Sequence, residues 1–288
     1  MNGQCAHAAH SNRTLRFLVT LAIPALSALS PHGAQAQQGS GTDSATIRKQ
    51  PRVSLVRPRD LLLLGGLAGA VLAVMPADES VERSFQRPSI QRNSGLKHIS
   101  DATGVLGDPG SVIISAGLYF AGLSLHSRRT AALGMHTGES VVLGGLLAEG
   151  LKGGIGRARP KVSPNDSRLF RSGKGFSSDD FGSFPSTETT AAFAAATAMS
   201  RGINRDWPGH SRVVTPVAYT GATLVAYSRL YKNEHWASDV LAAAGLGTIS
   251  AVFIDRFDQR YADNIFERWF LPTSIVPKRS GFALAWSR

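Results

Sequence analysis

The sequence predicts an all-α fold, a bundle of about six core helices, on three observations. Apolar segments recur at about 61–75, 111–125, 138–151, 187–200, 213–230 and 236–256, each long enough for several helical turns. They are dominated by Ala, Gly and Leu and lack the β-branched alternation of strands, so the helices are expected to pack closely through small residues. Hydrophobic residues make up 43% and charged residues 18% of the 288 positions, which fits a folded chain and excludes a disordered one.

In chain order, residues 1–36 read as an export signal. Arg13 and Arg16 precede an apolar run at 17–29, and Ala34-Gln35-Ala36 places small residues where a signal peptidase cuts. The run is short for a membrane span, and an uncleaved anchor is the alternative. The expected location is periplasmic or membrane-associated, with the site facing outside the cytoplasm. The single cysteine, Cys5, lies inside this segment, so a cleaved chain has no thiol for disulfides or thiolate metal sites.

Residues 37–59 are polar and basic and read as a linker. A helical domain is expected over 60–262. Its first apolar run stops at Pro76, and 77–110 is a mixed stretch broken by Pro88, Gly107, Pro109 and Gly110. Residues 263–288 form a tail in which 281–286 alternates weakly, as in a short strand. The apolar runs are near or below the roughly 18–20 residues that cross a bilayer. With a mean hydropathy of -0.04, this favours a soluble or membrane-apposed bundle. The runs at 61–75 and 213–230 keep a membrane form open.

A formal net charge of +11 favours anionic partners: phosphate esters, acidic lipid surfaces or nucleic acid. No aromatic–basic pattern supports nucleic acid, which is not expected. The oligomeric state is not indicated.

Three local patterns carry chemistry. The first is Lys152-Gly-Gly-Ile-Gly-Arg157-Ala-Arg159-Pro160, which follows an apolar helix. Cations are favoured at a helix C-terminus, and glycines let the backbone turn there. The second is Phe184-Pro185-Ser186-Thr187-Glu188, opening the Ala-rich helix. Ser186 is a good N-cap, and its hydroxyl with the free amides beyond it forms a natural anion site. An ordinary helix start with an acid in its first turn has the same sequence. The third is Ser228-Arg229-Leu-Tyr-Lys-Asn-Glu-His235-Trp-Ala-Ser-Asp239. If a helix begins after Asn233, His235 and Asp239 are i and i+4 on one face, and the carboxylate orients the imidazole. His98, His126 and His136 are scattered and show no metal-ligand spacing. Pro208-Gly209-His210 reads as a loop without a catalytic role.

Together these segments resemble the type 2 phosphatidic acid phosphatase family, which shares its fold with the vanadium haloperoxidases. The family pattern is Lys, six residues, Arg-Pro; then Pro-Ser-Gly-His; then Ser-Arg, five residues, His, three residues, Asp. Here the first motif is complete at Lys152, Arg159 and Pro160, and the third at Ser228, Arg229, His235 and Asp239. The middle motif keeps Pro185 and Ser186, with Thr187 for Gly and Glu188 for His. The match covers about residues 130–256.

The resemblance implies a helical bundle with the site between helix ends and no metal or other cofactor. It implies that Lys152, Arg159, Ser228 and Arg229, with Ser186 and the amide of Thr187, bind phosphoryl oxygens. It implies that His235 is the nucleophile, forming a phosphohistidine, and that Asp239 orients it. The substrate class it implies is a phosphate ester or a lipid phosphate or diphosphate, with a membrane surface as a further candidate partner.

Glu188 departs from this pattern, because the family's histidine there protonates the leaving group. Next to a phosphate an ionised glutamate costs about 4 kcal/mol per charge pair at about 4 Å and an effective dielectric of about 20. Keeping it protonated at neutral pH needs a rise of about 3 pKa units, on the order of 4 kcal/mol. Two outcomes follow: a substrate-induced general acid, or a relative that binds phosphate groups without turnover. Arg157, Lys161, Arg168, Arg171 and Lys174 crowd the loop between the first two motifs. They are expected to steer anions, or to be solvated charges.

Overall fold

A computed structural model describes residues 54–288 apart from positions 108, 262–263, 273, 279–280 and 286–288. The export segment, Cys5 and most of the proposed linker lie outside the described residues. The helices are α1 Pro58–Val74, α2 Asp78–Phe85, α3 Pro88–Gln91, α4 Ser94–Gly104, α5 Gly110–Ser124, α6 Arg128–Ile155, α7 Thr187–Asp206, α8 Pro208–Tyr231, α9 Ala237–Arg260 and α10 Ile265–Phe270. Strands β1 Ser274–Lys278 and β2 Gly281–Ala285 pair antiparallel, Ile275 opposite Leu284.

All six expected core helices are present, and their ends are set by local chemistry. Helix α1 begins inside the expected linker. Pro58 occupies its first turn, and the Asp60 carboxylate accepts the Arg57 amide at 2.7 Å. Helix α6 starts ten residues before its expected boundary, because Ser127 caps the Thr130 amide. Pro208-Gly209-His210 is the first turn of α8 and not a loop, since a proline at N1 suits a helix start. The mixed stretch 77–110 holds three short helices, and the tail holds α10 and the hairpin.

Helix α7 is the centre of the bundle and packs on α6, α8 and α9, while α5 lies on α6, α4 on α8 and α1 on α9. Its alanines form both main contact faces: Ala191, Ala194 and Ala195 meet Val141, and Ala192 and Ala196 meet Ala222 and Val225. Small side chains let backbones approach. A Cβ at Gly247 of α9 would collide with the Thr190 carbonyl of α7, and one at Gly134 of α6 with the Tyr119 amide of α5.

The outer surface is apolar in bands. Leu61, Leu62, Leu63 and Leu72 of α1, Val112, Ile113 and Phe120 of α5, Val142 and Leu146 of α6, and Val213 and Val217 of α8 are exposed, Leu62 to 78%. Among the described residues, two stretches are long and apolar enough to cross a membrane: Pro58–Phe85, which runs through α1 and α2, and Ala237–Arg260.

Candidate active site

Four helix ends and one loop meet at one end of the bundle. Lys152 stands in the last turn of α6. Gly156 ends that helix in the left-handed region at φ 62, against the Arg171 carbonyl, where any Cβ would collide. The loop then carries Arg157 and Arg159 inward. Ser186 caps α7, its hydroxyl accepting the Thr189 amide at 3.3 Å. Arg229 lies in the last turn of α8. A tight turn with Asn233 at φ 58 delivers His235 just before α9.

His235 is 2% exposed, and its Nδ1 lies 2.6 Å from the Ser183 carbonyl oxygen. A carbonyl only accepts, so Nδ1 carries a proton and Nε2 is the ring nitrogen turned away from Ser183. That nitrogen faces the anion groups, 3.5 Å from Arg159 Nη1 and 3.4 Å from Glu188 Oε2.

The cations around it are held by acids. Arg159 donates from Nε to the Asp179 carbonyl at 2.8 Å and from Nη1 to Glu234 Oε2 at 2.9 Å, and its Nη2 pairs with the Asp179 carboxylate. Lys152 donates to Glu149 Oε1 at 3.0 Å, which also accepts the Thr187 hydroxyl at 2.6 Å. Arg229 Nη1 donates to Glu188 Oε1 at 2.9 Å.

Glu188 is thus the anion already in the site. Its carboxylate meets Arg229, the Nε2 of His235 and the Ser186 hydroxyl, which donates to it at 3.2 Å. Burial works to raise its pKa. The hydrogen bond and charge of His235 and the charge of Arg229 outweigh that and hold the carboxyl well below the usual carboxylate range. Arg229 and Ser186 are among the donors expected for a phosphoryl group, and in this structure they donate to the Glu188 carboxylate.

Lys152, Arg159, Ser186, Arg229 and His235 all lie within a span that matches a known family model. Residues 133–262 match the family model described as PAP2 superfamily. The chain is 37% identical over 67 residues to the lipid A 1-phosphatase of Porphyromonas gingivalis, a match covering 23% of this chain and 14% of that relative. A solved structure of a transmembrane PAP2 type phosphatidylglycerolphosphate phosphatase from Bacillus subtilis is also similar. It is 23% identical, the match covers 72% of this chain and 96% of that one, and the TM-score is 0.47.

Within the matched span, two expected contacts are absent. Asp239 does not hydrogen-bond to His235. Helix α9 starts at Ala237, not after Asn233, so the two residues do not share a helix face. Asp239 is instead the third residue of the helix and accepts the Trp236 amide at 2.9 Å. Its influence on the imidazole is indirect: its carboxylate accepts the Ser183 hydroxyl, and the carbonyl of the same Ser183 fixes Nδ1. Ser228 faces away from the cradle. Its hydroxyl donates to the Ser100 carbonyl at 2.8 Å and accepts from Arg229 Nη2 at 3.4 Å, so it positions that guanidinium.

Arg157 is also not a steering charge. It is 0% exposed and donates to Asp78, Asp239, Ser238 and the Ser167 carbonyl. Asp78 in turn accepts the Ser238 amide at 2.8 Å. This fully paired cluster ties the start of α2, the 157–186 loop and the start of α9 together beneath His235. Ser183 and Asp78 were not singled out in the sequence, since a lone serine and an acid beyond Pro76 carry no local signature. Among the loop cations, Lys161 pairs with Glu234, while Arg168, Arg171 and Lys174 stand exposed.

Proposed function

We propose that the protein hydrolyses phosphate esters of lipids through a phosphohistidine on His235. One observation carries this reading: Nδ1 is fixed by a carbonyl, so Nε2 points into a cradle of Arg159, Arg229 and Ser186. Phosphoryl transfer needs positioning and charge stabilisation on the equatorial oxygens. Lys152, Arg159 and Arg229, with the Ser186 hydroxyl and the first-turn amides of α7, supply both. Arg157, Asp78, Asp239 and Ser228 hold these groups in place.

Glu188 supplies the proton. In the resting site the carboxylate lies beside Nε2 and pairs with it when the ring is protonated. An arriving phosphate takes Arg229 and Ser186 from Glu188 and places negative charge beside it. Both changes raise the carboxyl's proton affinity. The proton moves from Nε2 to Glu188, the freed lone pair attacks phosphorus, and the P–O bond to the alcohol breaks. Glu188 returns its proton to the leaving oxygen. In the second half Glu188 takes a proton from water, the hydroxide attacks the phosphohistidine, and the P–N bond breaks to release phosphate.

The lipid class is supported by the exposed leucines of α1, the exposed apolar faces of α5 and α6, and the two stretches of membrane-spanning length. We infer a membrane-associated protein with the site outside the cytoplasm, as the export signal suggests. The competing reading is a relative that binds phosphate groups without turnover, and the Glu188 carboxylate lodged among the cradle donors is what favours it. Phosphate release from phosphatidic acid in mixed micelles, wild type beside His235→Ala, separates the two. Turnover lost in the variant supports the enzyme, and equal rates overturn it. Radiolabelled phosphate trapped on the protein in an acid-labile, base-stable form identifies the intermediate.

A further inference from the structure

A second polar cluster lies at the other end of the bundle. Asp258, near the C-terminus of α9, is nineteen residues beyond Asp239, about 28 Å along the helix. His136 and Glu139 stand one turn apart on α6, and the ligand atoms of His136, Glu139 and Asp258 all lie within 4.8 Å of one another. Glu267 of α10 adds a further carboxylate, its Oε1 3.5 Å from His136 Nε2, the same distance as Asp258 Oδ2.

The unused valences of these groups distinguish the cluster from an ordinary ion pair. His136 Nε2, both Glu139 carboxylate oxygens and Asp258 Oδ2 are buried without a hydrogen-bond partner. Asp258 is 5% exposed. Buried polar atoms are normally satisfied, and four open atoms converging on one point need an occupant. The outer contacts fix the set from behind. Asn264 donates to Asp258 Oδ1 at 3.2 Å and caps the Glu267 amide through its own side-chain oxygen. Arg128 stands 3.5 Å from Glu267 Oε2. A small cavity beside the cluster is lined by His136, Ser140, Arg205 and Asp255. Arg201 and Arg205 are engaged by Asp255, one turn before Asp258, and do not neutralise the cluster.

We propose that His136, Glu139 and Asp258, with Glu267 in reach, bind one divalent transition-metal ion of the zinc or manganese class. One imidazole and two or three carboxylates form a nitrogen–oxygen donor set suited to these ions. The ion neutralises the carboxylates and fastens α6, α9 and α10 together. Its place is remote from His235, and it takes no part in the phosphoryl chemistry.

The test uses the full chain in detergent, stripped with a chelator, exchanged into metal-free buffer, and titrated with Zn2+, with Co2+ as the spectroscopic probe. The expected result is one ion per chain, a rise in melting temperature on loading, and visible Co2+ bands of a nitrogen–oxygen site. Asp258→Asn and Glu139→Gln, close in shape to the native side chains, are expected to weaken binding at least tenfold. His235→Ala is expected to bind as wild type does. Absence of stoichiometric binding in the wild type overturns the proposal, and this outcome does not depend on any variant folding. Binding that persists unchanged in the Asp258→Asn, Glu139→Gln double variant overturns it too, as does binding lost in His235→Ala.

Discussion

The two ends of α9 carry similar residue types and treat them differently. At the N-terminal end Asp239, Asp78 and Arg157 are wholly buried, yet each charged group has several partners. At the C-terminal end His136 Nε2, both Glu139 carboxylate oxygens and Asp258 Oδ2 lack a hydrogen-bond partner. A closed network makes a rigid support, and an open one is a place for a ligand. The same contrast holds within the catalytic end. The supporting groups are saturated among themselves, whereas Arg229, Ser186 and His235 each turn one polar atom to Glu188, a single side chain that a phosphate could displace.

The largest effect expected from breaking this contrast is His235→Ala, which should reduce phosphate release by three orders of magnitude or more in a lipid phosphate assay. The fold should persist, because the imidazole's one short bond is to a loop carbonyl. Next is Arg157→Met, which leaves Asp78 and Asp239 buried and unpaired. It should cost about 3–5 kcal/mol in denaturant or thermal unfolding. If stability is unchanged, the closed network is not the support described here.

Smaller effects test the open groups. Replacing Arg168, Arg171 and Lys174 by Gln should lower kcat/KM severalfold and flatten its fall with added salt. A salt response equal to that of wild type would remove the steering role. Glu188 also predicts a pH dependence of stability. Its folded-state carboxyl lies below the ordinary glutamate value of 4.5, so its contribution is present above that value and is lost as pH falls toward the folded-state value. The stability gap between wild type and Glu188→Gln should therefore narrow on acidification below about pH 4.5, measured by urea unfolding.

Much of this was legible in the sequence. Six apolar Ala/Gly/Leu segments marked the six core helices, and the spacing from Lys152 to Arg159 and from Arg229 to His235 marked groups that the fold brings together. The direct contact expected between Asp239 and His235 does not form, because helix periodicity places residues only once the first helical residue is known, and that is Ala237. Arg157 and Arg159 look alike in the sequence, yet burial against Asp78, 79 positions earlier, separates them. The His136–Glu139–Asp258 cluster was missed for the same reason. Two of its members are one turn apart on α6, but the third is supplied by α9 through packing that no local pattern records.

The central claim is that Glu188 exchanges its proton between His235 and the leaving group. The most direct test is the pH–rate profile of wild type beside Glu188→Gln and Glu188→His, with one good and one poor leaving group. Wild type should show an optimum on the acid side of neutrality. Glu188→Gln should lose at least a hundredfold with the poor leaving group, far less with the good one, and lose the basic limb. Equal or faster turnover in Glu188→Gln, or a gain in Glu188→His with the wild type nearly inactive, would contradict the account and mark Glu188 as an occupant that blocks the site.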